Sequence, residues 1–537
     1  MKQIQIYDTT LRDGSQMHGI SLSVADKLKI VHILDDLGVD YIEGGWPGAN
    51  PKDIEFFEQV ANLKLKNAKL VAFGSTRRTD TQNCKDDIIL QALLKANTQI
   101  ITIVGKTWDL HVTEALRTTL ENNLLMISES IEYLKSENRQ IIFDAEHFFD
   151  AYLNNKNYAF KVIKTAFEAG AETIVLCDTN GGTLPETIFS IIEEVLKQIP
   201  AIKLGIHAHN DGFLAVANSL AAIRAGAIQV QGTINGYGER CGNADLISVI
   251  ANLELKMPNY KALPEGHLSK LSKTSHLISE IANLNLSGQH PFVGRFAFTH
   301  KGGLHASAMQ RNKLTYEHID PELVGNKSRI IVSEQAGLSN ILDFAKNQDI
   351  NLGSETESKK IAKQLLAEIK EKEHEGYQFE QAGASLELLF LKRTDQKPKF
   401  FEVIDFRVFA SADSCAEATV QVKVGDKILH TASLGVGPGH ALDNALRKAL
   451  INYYEIIENF KLTDFKVRVV DSHSGTAAKT RVNAEMDNQG RKWNTVGLHE
   501  NIIQATFIAI TECIEYGLYI TETCSKHTIE NQTKVLN

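Results

Sequence analysis

The first 233 residues alternate between short β-rich apolar runs and longer stretches in which apolar residues recur at helical spacing. One helical stretch, 24–38, ends in glycine, as helix C-termini prefer. The eight apolar runs are IQIYD (4–8), VDYIE (39–43), KLVAFG (69–74), QIITIV (99–104), QIIFDAE (140–146), ETIVLCD (172–178), IKLGIHAH (202–209) and IQVQGT (228–233). This alternation predicts an α/β fold with a parallel sheet closed as a (β/α)8 TIM barrel. A doubly wound open sheet is the alternative, although no G-x-G-x-x-G follows the first run.

Two further segments follow the predicted barrel. Residues 261–392 are mostly helical in pattern, and the charged stretch KRTDQKPKF (392–400) ends that pattern. The chain then repeats an order of three strands and one helix, with a Val-Gly pair at the same place in each unit (436–437 and 496–497). We therefore expect a barrel domain (1–260), a helical subdomain (261–392) and a C-terminal α+β domain of two βββα units (393–537).

Composition narrows the class of partner. The chain has 57 Lys+Arg against 66 Asp+Glu, a net charge of -9 without a basic block, which disfavours nucleic acid and favours small molecules. No window approaches the roughly 18 apolar residues of a membrane span, and the first residues become charged too early for a signal peptide. The six cysteines form no C-x-x-C pair, as is typical of a reducing compartment. We expect a cytoplasmic protein without a membrane partner.

Polar residues at the ends of the predicted strands are the candidates for chemistry, because catalytic groups of such barrels collect at the carboxyl ends of strands. Arg12 and Asp13 follow the first strand. Neighbouring Arg and Asp residues usually form only an ion pair. On the catalytic face of a barrel, however, Asp13 can bind a divalent cation while Arg12 contacts a carboxylate or enolate oxygen of a substrate.

His207 and His209 have i, i+2 spacing on the seventh strand, so both side chains project from one face. With Asp13 they offer two imidazoles and a carboxylate, which suits Mg²⁺, Mn²⁺ or Zn²⁺ as a Lewis acid. Asn243, in the glycine-rich loop after the eighth strand, could complete the metal sphere through its amide oxygen or a water. Cys241 in that loop has no adjacent histidine, so we interpret it as a buried packing thiol rather than a nucleophile.

Other strand ends carry further polar residues. Glu43 and Glu146 close the second and fifth strands, and Asp178-Thr179 closes the sixth. The alternative for one or two of these residues is a purely structural role, in which they form hydrogen bonds across the barrel mouth.

Three stretches, DTTLRDGSQ (8–16), HAHND (207–211) and NGYGERCGNADL (235–246), resemble the signature motifs of the Claisen-condensing metalloenzymes that include 2-isopropylmalate, homocitrate and citramalate synthases. The resemblance covers nearly the whole chain, because that family also has a helical subdomain and a C-terminal regulatory domain of two βββα units. Four more stretches, GGWPGANPKD (44–53), FGSTRR (73–78), KTWDLHV (106–112) and DAEHFFDAY (144–152), resemble most closely the bacterial members that make citramalate.

The resemblance implies roles for individual residues. His305, in FTHKGGLHASAM (298–309), matches a histidine that the subdomain contributes to the active site, with Glu146 as its expected partner. Relatives often carry a tyrosine after a Val-Gly motif in the subdomain, but VGNKSR (324–329) has none, so no tyrosine is named. The implied metal ligands are Asp13, His207 and His209 with Asn243 nearby, and the implied substrate-binding group is Arg12 and Thr179, with Glu43 supporting the first-strand motif.

The implied reaction is the condensation of acetyl-CoA with pyruvate and the hydrolysis of the thioester, which gives (R)-citramalate and CoA. This acyltransferase would begin a pyruvate-derived route to 2-oxobutanoate and isoleucine, and the family implies a homodimer with isoleucine as effector. A synthase for a larger 2-keto acid, such as 2-isopropylmalate synthase, is the alternative. A related lyase or a biotin-dependent carboxyltransferase is disfavoured by the βββα repeat, and an inactive sensor by the complete set of expected ligands.

Overall fold

The computed structural model describes residues 1–412, 415–470, 475 and 477–535. The chain forms two compact units: the first comprises Met1–Phe298 and His318–Ser328, and the second comprises Thr299–Glu317 and the residues from Arg329 onward. The boundaries predicted at 260 and 392 stay a prediction. No helix in the described ranges is long and apolar enough to cross a membrane.

Eight parallel strands close into a barrel in the first unit, following the order of the chain. The last strand pairs with the first, with Gln5 opposite Gln229. The strands are β1 (Gln5–Asp8), β2 (Tyr41–Gly45), β3 (Lys69–Ser75), β4 (Ile100–Lys106), β5 (Gln140–Glu146), β6 (Thr173–Asp178), β7 (Leu204–Ala208) and β8 (Gln229–Gly232). The predicted (β/α)8 barrel is confirmed, and the open doubly wound sheet is excluded because the sheet closes on itself.

A helix follows each barrel strand, as the apolar periodicity predicts. The first begins at a capping box, in which the Ser23 side chain accepts from the Asp26 N–H, and it ends at Gly38 with φ of 93°, a conformation that favours glycine. Apart from a short helix at Asp109–Glu114, the α-helices are α1 (Val24–Leu37), α2 (Pro51–Val60), α3 (Ile88–Lys95), α4 (Leu120–Ser136), α5 (Phe148–Glu168), α6 (Pro185–Gln198), α7 (Ala215–Ala225), α8 (Leu246–Lys256) and, beyond the barrel, α9 (Leu271–Ile281).

Two apolar layers stabilise the barrel. Side chains alternate along each strand between the lumen and the helices. Tyr7, Val71, Ile100, Ile142 and Val175 fill the lumen, while a larger cluster lies between strands and helices. Buried polar side chains also lie among them, for example Asp144 of β5 and Gln231 of β8, which are hydrogen-bonded to each other.

The second unit contains helices, a small sheet in which Thr299–His300 pairs with Arg329–Ile330, and two larger sheets. Each larger sheet has three antiparallel strands in chain order, and each is followed by a helix, which confirms the two predicted βββα units. The other elements of this unit are α10 (Gly303–Arg311), α11 (Leu338–Asn347), α12 (Glu355–Glu375), α13 (Gly383–Arg393), β9 (Glu402–Phe409), β10 (Ala416–Val424), β11 (Lys427–Gly435), α14 (Pro438–Leu450), β12 (Lys461–Val469), β13 (Thr480–Asn488), β14 (Arg491–His499) and α15 (Ile502–Val535).

The two βββα units each bury one face of their sheet. Alternate residues of the central strands β10 and β13 are buried and belong to one cluster with α14 and α15. The edge strand β12 instead leaves apolar side chains exposed, among them Phe465 at 39% and Val469 at 54%. Exposed apolar side chains on an edge strand are typical of a surface that another element covers.

Candidate active site

Asp13, His207 and His209 come together at the carboxyl ends of β1 and β7, and all three are buried. His207 Nε2 lies 3.3 Å from His209 Nε2 and 3.4 Å from Asp13 Oδ2. One ligand atom from each residue lies within 4.8 Å of the other two, so the group could hold a metal ion. Two imidazoles and a carboxylate suit a divalent cation.

The amide of Asn243 borders this cluster. Its Nδ2 donates to Asp13 Oδ1 at 3.1 Å and to the Tyr237 carbonyl at 3.1 Å. Its Oδ1 is buried and has no hydrogen-bond partner within the described ranges. A buried acceptor without a partner is costly, and a cation or a water at this place would satisfy it.

The charge of the barrel mouth also favours a cation. One partly buried guanidinium, that of Arg12, faces an excess of buried carboxyl groups. Burial raises the pKa of Asp8 and that of Asp144 to about 7 each, so full ionisation is costly without more positive charge. The buried carboxyl groups include those of Asp8, Asp13, Glu43, Asp144 and Asp178, each at most 3% exposed. The residues present therefore fit a divalent cation.

The protonation states of Asp13 and His209 agree with a ligand role, whereas His207 would release a proton on binding a cation. Burial alone would raise the pKa of Asp13, but Arg12 and His207 outweigh it and hold that pKa well below its usual range. Burial and the neighbouring His207 lower the pKa of His209 to about 3, so its imidazole is neutral. Burial would also lower the pKa of His207, but the bond to Asp13 raises it overall.

Arg12 is held on three sides. Its Nε donates to Glu43 Oε2 at 2.6 Å, its Nη1 donates to Asp13 Oδ2 at 3.3 Å, and its guanidinium carbon lies 3.8 Å from the centre of the Phe73 ring. Glu43 is fully buried and also accepts from the Tyr7 hydroxyl at 2.6 Å. In the described part of the chain, Nη2 of Arg12 makes no hydrogen bond, so this nitrogen is available to a substrate oxygen.

Thr179 and Glu146 lie at neighbouring strand ends. The Thr179 hydroxyl oxygen accepts from the His147 N–H at 2.9 Å, which leaves its own hydrogen free to donate. Glu146, at the end of β5, forms an ion pair with Lys106 at the end of β4. Both residues of that pair line a cleft of about 520 Å³, together with Trp46.

His305 belongs to the second unit, where it lies on α10 with an exposed side chain. Its ring stacks on Tyr316 with 4.1 Å between the ring centres. Glu146 belongs to the first unit, so its pairing with His305 stays a prediction.

Sequence reasoning missed several residues of this region. Lys106 stands at a strand end in KTWDLHV and could have been found by the rule that identified Glu146. Gln231, inside β8, carries no motif, and its side chain meets that of His207 because β8 pairs with β7. In the second unit, Tyr316 likewise carries no motif.

The prediction for Cys241 was wrong, because the thiol is exposed rather than buried. Cys241 lies between Arg240 and Gly242, whose φ angles are 55° and 88°. Two left-handed residues around it make a tight turn, which directs this side chain outwards.

Three family models match successive segments of the chain. They are HMGL-like (residues 3–278), homocitrate synthase post-HMGL domain-like (residues 292–375) and LeuA allosteric (dimerisation) domain (residues 380–518). Fold, site and matches together define an HMGL-like barrel enzyme with a C-terminal domain of the LeuA type.

Comparison with curated relatives shows which enzymes of this class the chain resembles in sequence. The (R)-citramalate synthase of Aquifex aeolicus is 50% identical over 522 residues, 96% of this chain and 98% of that protein. The (R)-citramalate synthase of Synechocystis sp. is 52% identical over 529 residues, 96% of each chain. The 2-isopropylmalate synthase of Methanocaldococcus jannaschii is 32% identical over 515 residues, 95% of this chain and 94% of that protein. The chain belongs to the (R)-citramalate synthase family, and it is an enzyme that transfers an acyl group.

Proposed function

We propose that this enzyme condenses acetyl-CoA and pyruvate with water to give (R)-citramalate and CoA. The observation that carries the proposal is the nearly full-length similarity to (R)-citramalate synthases. The cluster of Asp13, His207 and His209 beside Arg12 supplies chemistry that this reaction needs. The lower identity of the 2-isopropylmalate synthase makes a larger 2-keto acid the weaker alternative.

Asp13, His207 and His209 would hold a divalent cation, Mg²⁺, Mn²⁺ or Zn²⁺, with Asn243 beside it. When bound, such a cation polarises the keto carbonyl of pyruvate. The support is the convergence of buried acceptor atoms and the excess of buried carboxyl groups at this place.

Arg12 and Thr179 orient pyruvate in this proposal. The hydroxyl of Thr179 donates to the pyruvate carboxylate, and Nη2 of Arg12 faces the keto oxygen. A bond forms between the acetyl methyl carbon and the keto carbon, and the keto oxygen becomes the hydroxyl of the product. Arg12 stabilises the negative charge that develops on this oxygen, and Glu43 keeps the guanidinium in place. Water then cleaves the thioester, and CoA leaves as its thiol.

His305 with Glu146 is the base that removes the proton from the acetyl methyl group in this proposal. A histidine suits this step because its usual pKa lies near the working pH. Lys106 holds Glu146 through their ion pair.

The choice of keto acid tests the proposal. Release of the CoA thiol would be measured with pyruvate, 2-oxoisovalerate and 2-oxoglutarate at equal concentrations. Each methylene in such a pocket is worth about 1–3 kcal/mol, so we expect kcat/KM for pyruvate to exceed the other two by at least about tenfold. A preference for 2-oxoisovalerate would make the chain a 2-isopropylmalate synthase instead.

We also propose a cytoplasmic homodimer that isoleucine inhibits. The match to a LeuA allosteric (dimerisation) domain and the exposed apolar side chains of β12 support the dimer. Isoleucine is the end product expected for a route that starts from citramalate. The glycine-rich turn LGVGPGHALDNAL (434–446) opens α14, and free N–H groups at a helix start can receive the carboxylate of an amino acid.

A further inference from the structure

A buried polar chain runs behind the candidate metal ligand His207. Gln231 on β8 is paired with His207 on β7 in the sheet register, and its side chain is fully buried. Gln231 Oε1 lies 2.9 Å from His207 Nδ1, while Gln231 Nε2 donates to Asp144 Oδ1 at 3.0 Å. Asp144 itself is 3% exposed.

This chain of contacts determines which way the amide of Gln231 points. The carboxyl group of Asp144 presents an acceptor oxygen, so the NH2 group of Gln231 must face it. The carbonyl oxygen of Gln231 then faces His207 and accepts a hydrogen from Nδ1. The other ring nitrogen, Nε2, is left to face Asp13 and His209.

A histidine can offer Nε2 to a metal only if the remaining ring proton is on Nδ1. With Gln231 in place, the proton on Nδ1 is retained by a hydrogen bond, and the proton that leaves on metal binding leaves from Nε2. Without this acceptor, the neutral ring is free to keep its proton on Nε2, next to the carboxylate of Asp13. Because the site is buried, water does not readily replace the lost acceptor.

We propose that Gln231, itself oriented by Asp144, is the positioning residue that presents the Nε2 lone pair of His207 to the divalent cation and thereby sets the affinity of the site. Gln231 contacts neither substrate nor cation in this proposal. The inference rests on the metal site given under the proposed function. It adds Gln231 and Asp144 as the residues that orient the ligand His207.

Mn²⁺ binding to the full-length, metal-stripped protein tests this inference, with free Mn²⁺ measured by electron paramagnetic resonance. Gln231→Met should weaken binding by about ten- to hundredfold, the usual effect of losing the outer partner of a metal-bound histidine. Gln229→Met is the matched control. Gln229 lies on the same strand and is equally buried, and among the described residues its side chain bonds only to Gln5, so this variant should bind Mn²⁺ like wild type.

A swap of the two side chains keeps the test decisive if Gln231→Met folds poorly. In the double variant Gln231→Glu with Asp144→Asn, a carboxylate oxygen at position 231 again accepts from His207 Nδ1. The amide NH2 group at position 144 then donates to the other oxygen of that carboxylate. It should recover most of the Mn²⁺ affinity lost in Gln231→Met. Thermal unfolding of the metal-free proteins shows whether each variant is folded.

The inference is overturned if folded Gln231→Met binds Mn²⁺ like wild type, if Gln229→Met weakens binding equally, or if the swap recovers nothing. Absence of Mn²⁺ binding to wild type would remove the metal site itself, and this inference with it. Because binding is measured without substrate, each of these results is distinguishable from a failure to form citramalate.

Discussion

At the scale of single residues, the three candidate ligands allow the sharpest prediction. His207→Ala or Asp13→Ala should abolish turnover, because each removes one of three convergent ligand atoms, and EDTA should inactivate the wild type. Thiol release from acetyl-CoA measures the effect. His32→Ala, which changes an exposed histidine of α1, is the control. Full activity in either ligand variant would contradict the metal site.

Arg12 is expected to act mainly on the transition state. Arg12→Lys keeps the charge but loses the geometry in which Nε and Nη1 are bound to Glu43 and Asp13. We expect kcat to fall by about 10²–10³-fold, with a much smaller rise in KM for acetyl-CoA. Equal effects on kcat and KM would instead indicate a role in binding.

The role of His305 can be separated from pyruvate binding. His305→Ala should slow the exchange of the acetyl-CoA methyl protons with solvent by about 10²–10⁴-fold, while pyruvate binding stays nearly unchanged. Exchange is followed by NMR in D₂O. His374→Ala, an exposed histidine of the same unit, should leave exchange unchanged. Normal exchange in His305→Ala would assign the base to another residue.

At the scale of secondary-structure elements, the packing of α15 against α13 partly buries a titratable group, the carboxyl group of Glu512. Glu512 accepts a hydrogen bond from Ser385, and burial raises its pKa from 4.5 to about 7. The folded state therefore binds this proton more tightly than the unfolded state does. The resulting stabilisation is complete below about pH 4.5 and is lost as the pH rises through about 7.

Glu512→Gln should remove this dependence of the folding stability on pH, because glutamine does not ionise. At pH 8 the variant should be more stable than wild type by up to about 3 kcal/mol, seen as a higher Tm of the second unit, and the difference should shrink towards pH 5. Glu458→Gln, at an exposed position, is the control. A constant difference at both pH values would show that the ionisation of Glu512 does not matter for stability.

At the scale of the whole molecule, the C-terminal βββα units are predicted to carry regulation. Isoleucine at millimolar concentration should inhibit the intact enzyme, and truncation near residue 395 should leave a catalytic fragment that no longer responds. The coupling free energy between effector and substrate sites is typically about 1–3 kcal/mol, so the apparent affinity should change by about 5–150-fold. Inhibition by leucine instead of isoleucine would contradict both the regulation and the choice of pyruvate.

The sequence by itself determined the architecture and the central trio of candidate ligands. Alternation with periods of 2 and 3.6 residues is a local property, so the eight barrel strands and both βββα units follow from it. His207 and His209 share a face for the same reason, and the carboxyl ends of parallel strands bring Asp13 to them.

Only the tertiary structure decided which side chains meet across the barrel. The contact of Gln231 with His207 depends on the pairing register of β7 and β8, and the pair of Lys106 and Glu146 depends on that of β4 and β5. The exposure of Cys241 depends on a turn whose φ angles no local pattern specifies. Such contacts join residues far apart in the chain, so their physical cause is the closure of the sheet rather than any local preference.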